Sequence, residues 1–246
     1  MQPLAGLKPL VVARLRGAGC VFAEEEAGLL LAAAADAGEL DALLSQRLSG
    51  LPLEHVLGWA DFCGLRIAVD PRVFVPRRRT EYLVRRAARL LQKRPAGGRP
   101  VVVDLCCGSG AVGAALAAVA GPLELHAADI DPAAAACARR NLRPLGGDVH
   151  EGDLYGPLPR RLRGRVDLLA VNAPYVPSAM IGSMPPEARL HEPRLSLDGG
   201  PDGLDLQRRV AAAAPARGAP GGHRHRLRRP PGGHYVRNPG FPAGPV

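Results

Sequence analysis

The stretch that most constrains the fold of this chain is 101–113 (VVVDLCCGSGAVG), a β-branched run followed by a glycine-rich loop. The run 101–103 lies between Pro100 and the glycines, which is typical of a short buried strand. The Ala- and Leu-rich run 111–120 predicts a helix. A strand, a glycine loop and a helix in this order let a ligand approach bare backbone at a helix N-terminus. The sequence therefore predicts an α/β fold with a ligand site directly after a buried strand.

The residues around this loop narrow the class of ligand without deciding it. The glycine spacing fits the G-x-G-x-x-G pattern of dinucleotide-binding folds, which is a weak signal alone. Asp104 lies four residues before the first glycine and leaves a longer loop than a pyrophosphate-binding turn usually has. A second predicted strand ends in Asp129, about 20 residues past the glycines, where a carboxylate can bind a ribose diol. NAD and S-adenosylmethionine both carry such a diol, so these residues leave both cofactors open.

A third stretch, 166–175 (VDLLAVNAPY), reads as a strand that ends in Asn-Ala-Pro-Tyr. The order of the D-x-x-x-G-x-G motif, the acid after the second strand and this tetrapeptide resembles methyltransferases that modify planar amino groups. More closely, the chain resembles the HemK/PrmC family of protein-glutamine methyltransferases, which act on peptide chain release factors. The stretches 53–58, 73–81 and 191–204 carry this closer resemblance, which covers roughly residues 10–212.

The resemblance implies a fold, a reaction and a set of site residues. The fold is a Rossmann-like S-adenosylmethionine-dependent methyltransferase sheet with helices on both faces, preceded by a small helical N-terminal domain and a β-hairpin. The reaction transfers a methyl group from S-adenosyl-L-methionine to the side-chain amide nitrogen of a glutamine, above all in the Gly-Gly-Gln loop of a release factor. The residues expected to act on the amide are Asn172, Ala173, Pro174 and Tyr175. The residues expected to bind the cofactor are Asp104, Cys106, Cys107, Gly108, Ser109, Gly110, Asp129, Asp153, Leu154 and Asn172.

One residue of the tetrapeptide departs from the pattern of the resembled family. Ala173 stands where that family has its first proline. Alanine keeps the carbonyl oxygen but loses the fixed φ angle and gains an N–H group. Pro174 still restrains residue 173 toward extended geometry. We therefore expect reduced preorganisation of this segment and not loss of its hydrogen-bond acceptor.

The chain divides by pattern into four parts. We predict a helical N-terminal domain over 1–50, a β-hairpin and linker over 51–79, the methyltransferase domain over 80–214 and a tail over 215–246. Thr80 is the predicted N-cap of a helix over 81–92, and Asp131 is the predicted N-cap of a helix after Pro132. An acid-ended strand is predicted between 148 and 153.

The tail has a different composition from the rest of the chain. Residues 215–246 hold seven Pro and seven Gly in 32 positions, with six Arg and no acid, so they carry six of the nine net positive charges. Such a segment is predicted to be disordered. The resembled family needs further strands here, so the last strands of the sheet are expected to be missing, through truncation or a change of reading frame. This leaves an inactive, truncated relative of an enzyme open as an alternative.

Composition excludes several other classes. Five cysteines show no C-x-x-C pair, which predicts reduced thiols in the cytoplasm and no metal site. The chain has no apolar run of 18 residues, so no membrane partner is expected. Without its tail the chain is only weakly basic, which disfavours nucleic acid as a substrate, although a nucleic-acid amino-methyltransferase acting on adenine stays an alternative. A monomer is expected, with a release factor as its protein partner.

Overall fold

The protein is described by a computed structural model that covers residues 4–94 and 97–213 and the backbone of one further strand, Tyr235–Arg237. The N-terminal part is helical, as predicted. Apolar side chains at helical spacing, such as Val11, Leu15, Leu30 and Leu44, form a core of their own there. The helices of this part are α1 (Lys8–Gly17), α2 (Ala23–Ala33), α3 (Ala37–Leu48) and the short α4 (Leu53–Leu57).

A two-stranded antiparallel hairpin follows the helical part and packs against the larger sheet domain. It consists of β1 (Trp59–Phe62) and β2 (Leu65–Ala68). The side-chain amide of Asn141 donates to the Ala68 carbonyl, and its oxygen accepts from the Ala68 N–H, both at 2.9 Å. This pair of hydrogen bonds anchors the hairpin to the domain that holds Asn141.

The main sheet has four parallel strands in the order β5 (Asp148–Glu151), β4 (Glu124–Asp129), β3 (Val101–Leu105) and β6 (Leu168–Val171), with β7 (Tyr235–Arg237) added antiparallel beside β6. The two central strands β3 and β6 are nearly continuous apolar runs and fully buried, as expected for strands covered on both faces. Helices connect or flank them in sequence order. The elements are α5 (Glu81–Gln92), β3 (Val101–Leu105), α6 (Ala111–Ala120), β4 (Glu124–Asp129), α7 (Pro132–Leu142), β5 (Asp148–Glu151), β6 (Leu168–Val171), α8 (Pro186–His191), α9 (Arg194–Leu197), α10 (Asp205–Ala213) and β7 (Tyr235–Arg237).

Alternate residues of the strands point to two separate cores. Val102, Leu125 and Leu168 pack with side chains of α5, α6 and α7 on one face. On the other face, strand residues such as Val103 and Leu105 pack with Val210 of α10. The Rossmann-like α/β arrangement with helices on both faces is therefore confirmed.

The strand order fixes where a ligand can bind. The chain moves from β3 outward to β4 and β5, then returns across the sheet to β6 on the other side of β3. Ligands of open α/β sheets bind beyond the carboxyl ends of the strands at such a reversal. Asp104 near the end of β3, Asp129 at the end of β4 and Asn172 directly after β6 all lie at this edge.

The tail contributes a strand that the sequence did not predict. It runs antiparallel to β6, with Leu169 opposite Arg237 and Val171 opposite Tyr235. The prediction that the tail adds no strand is therefore wrong for Tyr235–Arg237. An edge strand needs only backbone groups facing its neighbour, so a low apolar content does not prevent it. The rest of the predicted disordered tail lies outside the described residues.

The helix boundaries in this domain agree well with the predicted ones, but one cap does not. Asp131 accepts a hydrogen bond from the Ala133 N–H at 2.9 Å, as predicted for the N-cap of α7. Thr80 was predicted to cap α5, yet its side chain makes no cap hydrogen bond. Residues Arg78–Thr80 form a 3-10 turn, which gives Thr80 a helical conformation instead of the extended one that a cap residue needs.

Two features are absent from the described part of the chain. None of its helices combines the length and the apolar character that crossing a bilayer requires. Within the same residues, no group of three or more His, Cys, Asp or Glu side chains is arranged to hold a metal ion.

Candidate functional site

A deep cleft opens at the carboxyl edge of the sheet. Its space between protein atoms, part of it open to solvent, is about 1130 Å³, enough for a nucleoside-sized ligand. Twelve of the thirteen residues that the sequence singled out line this cleft. They are Asp104, Cys106, Cys107, Gly108, Ser109, Asp129, Asp153, Leu154, Asn172, Ala173, Pro174 and Tyr175.

Gly110 is the one predicted site residue that does not line the cleft. It is the N-cap of α6 with a φ of 78°, a conformation that favours glycine. A Cβ atom here would lie only 3.0 Å from the Leu142 side chain and 3.2 Å from that of Ala138. The structure therefore accounts for Gly110 by the close packing of α6 on α7.

Asp129 holds the glycine loop in place. One carboxylate oxygen accepts from the Gly108 N–H at 2.8 Å, and the other accepts from the Asp131 N–H at 3.0 Å. Burial raises the pKa of the Asp129 carboxyl, and the two backbone hydrogen bonds act against that rise. Each carboxylate oxygen can accept a further hydrogen bond, so Asp129 keeps capacity for a ligand.

Asp104 is the most deeply buried acid of the cleft. One of its oxygens accepts from the Gly113 N–H at 2.9 Å, and the other has no hydrogen-bond partner among the described residues. Burial raises its pKa to about 7, because a charge is costly away from water. An unpartnered buried carboxylate oxygen in the wall of a cleft is a position where a ligand N–H or cation would be stabilised.

The two cysteines of the loop act as small, neutral side chains. Burial raises the pKa of both thiols, so neither carries charge at neutral pH. Cys106 has a φ of 55°, in the left-handed region that few residues other than glycine adopt. The tight turn into the glycine loop therefore holds a non-glycine residue in a strained backbone conformation. The sequence did not predict this strain.

The cleft has a negative lining. Asp104, Asp129, Asp131 and Asp153 all contribute to it, and Arg209 is its one basic side chain among the described residues. Arg209 forms an ion pair with Asp153. The remaining charge favours a cationic ligand and disfavours the pyrophosphate of a dinucleotide.

The tetrapeptide after β6 presents a buried acceptor to the cleft. The side-chain oxygen of Asn172 is buried and has no hydrogen-bond partner among the described residues. On the far side of the segment, the Gln207 amide donates to the Pro174 carbonyl at 3.1 Å. The opposite orientation of the Gln207 amide would place two oxygens together, so this donor assignment is the chemically acceptable one. Asn172 is thus free to receive a donor, and its segment is fixed from behind.

The loop 198–203 holds the same segment from outside. The Val176 N–H donates to the Leu197 carbonyl at 3.0 Å, and the Gly199 N–H donates to the Val176 carbonyl at 2.8 Å. A Cβ on Gly203, whose φ is 75°, would lie 2.3 Å from the Tyr175 carbonyl oxygen. Glycine is required there because the two backbones approach so closely. This packing explains the glycine-rich stretch by its support of the tetrapeptide.

An ion pair joins the two rims of the cleft. One guanidinium nitrogen of Arg77 lies 2.6 Å from both carboxylate oxygens of Glu192, whose side chain is fully buried. Glu192 also accepts from the Val75 N–H at 3.3 Å. Neighbouring Phe74 and Pro76 line one rim, and Pro193 lines the other. The pair therefore ties the loop before α5 to the segment before α9.

Several residues of the cleft were not predicted from the sequence. Phe74 lies in the linker before α5, whereas Gln207 and Arg209 lie on α10, far from Phe74 in the chain. An aromatic residue in a hairpin linker and polar residues on an amphipathic helix give no signal of their own. The stretches 73–81 and 191–204, which carried the family resemblance, were the available pointers to Phe74 and Glu192.

The comparisons with known proteins agree with this geometry. The family model described as "Methyltransferase small domain" matches residues 81–181. A release factor glutamine methyltransferase of Geobacter sulfurreducens is 39% identical over 182 residues, which cover 73% of this chain and 61% of that protein. The match to a 4-amino-L-phenylalanine/4-methylamino-L-phenylalanine methyltransferase of Streptomyces pristinaespiralis is 37% identical, over 72% of this chain and 61% of that protein.

One relative is matched over most of its length. The release factor glutamine methyltransferase of Bradyrhizobium diazoefficiens is 33% identical over 240 residues, which cover 90% of this chain and 80% of that protein. Matches to other relatives span less than two thirds of their length, as with Geobacter sulfurreducens. The glycine loop, the acid after β4 and the Asn-Ala-Pro-Tyr segment all lie inside the matched part of the chain, and the chain belongs to the family of the release factor glutamine methyltransferases.

Proposed function

We propose that this protein transfers a methyl group from S-adenosyl-L-methionine to the side-chain amide nitrogen of a glutamine in a peptide chain release factor. The observation that carries the proposal is the side-chain oxygen of Asn172, which is buried without a partner among the described residues in a residue that lines the cleft. Such an acceptor is costly unless a ligand supplies a donor. The family to which the chain belongs supports a glutamine amide as that donor.

The cleft residues fit S-adenosylmethionine, which supplies a methyl group on a positively charged sulfur. Asp129 would accept hydrogen bonds from the ribose hydroxyls, and the unpartnered oxygen of Asp104 would accept one from the ammonium group. The negative charge that the cleft keeps after Arg209 pairs with Asp153 favours the ammonium and sulfonium groups of this molecule. Asp153 and Leu154 would contact the adenine. The loop of Cys106, Cys107, Gly108 and Ser109 would provide the backbone surface between the residues that bind the ribose, the ammonium group and the adenine.

An amide nitrogen is a poor nucleophile because its lone pair is delocalised into the carbonyl. Holding both of its N–H groups turns that lone pair toward the methyl group. Asn172 would accept one N–H through its side-chain oxygen. The Pro174 carbonyl is already an acceptor for Gln207, so we assign the other N–H to the Ala173 carbonyl. The proline that the family has at position 173 is therefore not needed for the acceptor itself.

Positioning is the main source of rate in this proposal. Tyr175 would pack on the flat face of the amide, while the segment stays fixed by Gln207 and the 198–203 loop. Orientation of this kind contributes up to ~7–11 kcal/mol in favourable cases. The Asn172 oxygen also stabilises the positive charge that develops on the nitrogen. The amide proton leaves an acidified product, so no strong base is required before transfer.

The test is a methylation assay on a release factor with the purified chain and S-adenosylmethionine. We expect one added methyl group, located by peptide mass spectrometry on the glutamine of the Gly-Gly-Gln loop. A release factor with that glutamine replaced by alanine is the matched control and should gain none. Methylation of both proteins, or of neither, would contradict the proposal. DNA as an acceptor in parallel tests the adenine alternative.

A second candidate is a small aromatic amine. The matched Streptomyces pristinaespiralis protein is named for methylation of 4-amino-L-phenylalanine. An aryl amino group is also planar and can donate two hydrogen bonds to the Asn172 oxygen and the Ala173 carbonyl. Methylation of 4-amino-L-phenylalanine with no transfer to the release factor would favour this candidate over the first.

We expect Gln207→Leu to lower kcat by about tenfold, as for the loss of one buried hydrogen bond. The change removes the donor that fixes the Pro174 carbonyl, so the Ala173 carbonyl should lose its alignment. Leucine also removes the buried Gln207 oxygen that has no partner among the described residues, so the unfolding temperature should change little. Steady-state kinetics, binding of S-adenosylhomocysteine and thermal unfolding measure the three effects. An unchanged kcat would remove Gln207 from this role.

We expect the affinity for S-adenosylhomocysteine to rise by up to about tenfold between pH 6 and pH 8. The pKa of Asp104 is raised to about 7, so the carboxylate that would bind the ligand ammonium forms only as the pH passes that value. The ligand-free fold should show the opposite dependence. The folded chain keeps the Asp104 proton that the unfolded chain has lost, so its stability falls as pH rises from about 4 to 7.

Calorimetric titrations of the wild type and of Asp104→Asn at several pH values check this expectation. The variant should bind weakly, with the pH dependence near 7 gone. The same dependence in both proteins would show that another group titrates. Thermal unfolding of the two proteins without ligand tests the stability trend in the same samples.

A further inference from the structure

The turn after β5 holds two cleft residues, Asp153 and Leu154, in a strained backbone conformation. Leu154 has a φ of 48°, in the left-handed region that residues with a Cβ atom rarely adopt. Two backbone hydrogen bonds fix the turn: the Gly152 N–H donates to the Asp129 carbonyl at 2.8 Å, and the Gly156 N–H donates to the Asp153 carbonyl at 2.9 Å. Strain that the surrounding structure maintains is common at ligand-binding sites. The turn therefore brings Asp153 and Leu154 to the cleft on a backbone that has little freedom.

Two side-chain contacts join helix α10 to this turn. A guanidinium nitrogen of Arg209 donates to Oδ2 of Asp153, and both residues line the cleft. The Tyr155 hydroxyl donates to the Val210 carbonyl at 3.1 Å. Burial is the main cause that raises the pKa of the Cys106 thiol; the Asp153 charge adds to that rise, and the Arg209 charge acts against it. The ion pair is therefore close enough to the glycine loop to act on it.

This ion pair fixes the Asp153 side chain more than it stabilises the fold. Both side chains are about half exposed, and ion pairs that water reaches add little to the free energy of unfolding. Arg209 binds only Oδ2, while each carboxylate oxygen can accept more than one hydrogen bond. Asp153 therefore keeps acceptor capacity for a ligand, and Arg209 restricts the rotation of the carboxylate that offers it.

We propose that Arg209 is a positioning residue, which holds the Asp153 carboxylate against the exocyclic amino group of the cofactor's adenine and so selects a 6-aminopurine over a 6-oxopurine. The amino group of adenine donates, and a carboxylate only accepts. A 6-oxopurine presents a carbonyl oxygen at the same position, which would face the carboxylate without a proton between them. Arg209 could donate to such an oxygen only by leaving Asp153. This inference rests on the proposed function, in which Asp153 contacts the adenine.

Arg208 provides a matched control. It precedes Arg209 on α10, and its guanidinium pairs with Asp202 as that of Arg209 pairs with Asp153. The two arginines have similar exposure, but Arg208 does not line the cleft. A loss that followed from the charge or the stability of α10 would appear in both variants, whereas a loss of base selection should appear at Arg209 alone.

The test is calorimetric titration with S-adenosylhomocysteine and with S-inosylhomocysteine, its hypoxanthine analogue. Wild type should bind the adenine compound at least about tenfold more tightly, as expected for one hydrogen bond to a charged group. Arg209→Leu should lower this ratio to about two- or threefold, mainly through weaker binding of S-adenosylhomocysteine. Arg209→Lys should restore part of the ratio, because an ammonium group can pair with the same oxygen. Arg208→Leu should keep the wild-type ratio, and thermal unfolding confirms that each variant is folded.

The outcomes separate this inference from the proposed function. The same ratio in wild type and Arg209→Leu would overturn the role of Arg209 and leave the cofactor site as proposed. A higher ratio in Arg209→Leu would also overturn it, because Arg209 would then be attracting the 6-oxo group itself. An equal fall in Arg208→Leu would assign the effect to α10 as a whole, which contradicts a specific contact.

Two further outcomes concern the reaction itself. The expected ratios in a chain that leaves the release factor unmethylated would support the role of Arg209 and contradict the proposed reaction. No binding of either compound by the folded wild type would contradict both the proposed function and the role of Arg209.

Discussion

Replacing Asn172 with alanine should lower the rate of methyl transfer by about 10²–10³-fold, the usual cost of removing one preorganised polar group at a reacting centre. The side-chain oxygen that would hold the amide N–H is lost, while the contacts around the cofactor remain. The affinity for S-adenosylhomocysteine should therefore fall much less. Single-turnover assays and calorimetry on the same preparation measure the two quantities.

Stability offers an independent check on Asn172. Its oxygen is buried without a partner among the described residues, so its removal should not lower the unfolding temperature. Asn172→Asp keeps an acceptor of the same size and serves as the matched variant; it should retain more activity than alanine. If alanine destabilises the fold and leaves turnover intact, then Asn172 is a structural residue and the proposed mechanism is wrong.

Replacing Asp129 with alanine should weaken cofactor binding by ~1–3 kcal/mol, as for a lost charged hydrogen-bond partner. The carboxylate would bind the ribose, and it also fixes the N–H groups of Gly108 and Asp131. The variant should thus lose stability as well as affinity. Titration with S-adenosylhomocysteine and chemical unfolding give both numbers.

A second variant separates these two losses. Asp36 caps α3 through a 2.8 Å hydrogen bond from the Glu39 N–H, on the surface of the helical N-terminal part and outside the cleft lining. Asp36→Ala should cost about 1 kcal/mol of stability and leave the dissociation constant of the cofactor unchanged. An unchanged dissociation constant in Asp129→Ala would remove Asp129 from the cofactor site.

The features that were predicted best from the sequence are those that depend on the local pattern of residues. Helix α5 and the capped start of α7 follow from apolar spacing and from Asp131 before Pro132, both of which act within a few residues. The strand ends that carry Asp104, Asp129 and Asn172 were also predicted. Parallel strands meet at one edge of the sheet, so their end residues converge without further information.

Features that depend on tertiary packing were not predictable in the same way. Gly110 was predicted to bind the cofactor because glycines of this motif commonly do. A Cβ atom on Gly110 would lie closest to the side chain of Leu142, which belongs to a different helix. The hydrogen bond from Gln207 to Pro174 joins segments 33 residues apart. Strand β7 lies in a segment rich in Pro, Gly and Arg, a composition that predicts disorder and not a strand.

The bridge between Arg77 and Glu192 has a consequence for how ligands reach the cleft. The Glu192 side chain is fully buried, so parting the pair would leave a buried carboxylate without its cation, and the two rims therefore resist separation. We expect the mouth to keep nearly the same width when a ligand enters the cleft. Ligands are therefore admitted by their size and fit to a preformed opening, and little conformational entropy is left to lose at the moment of capture.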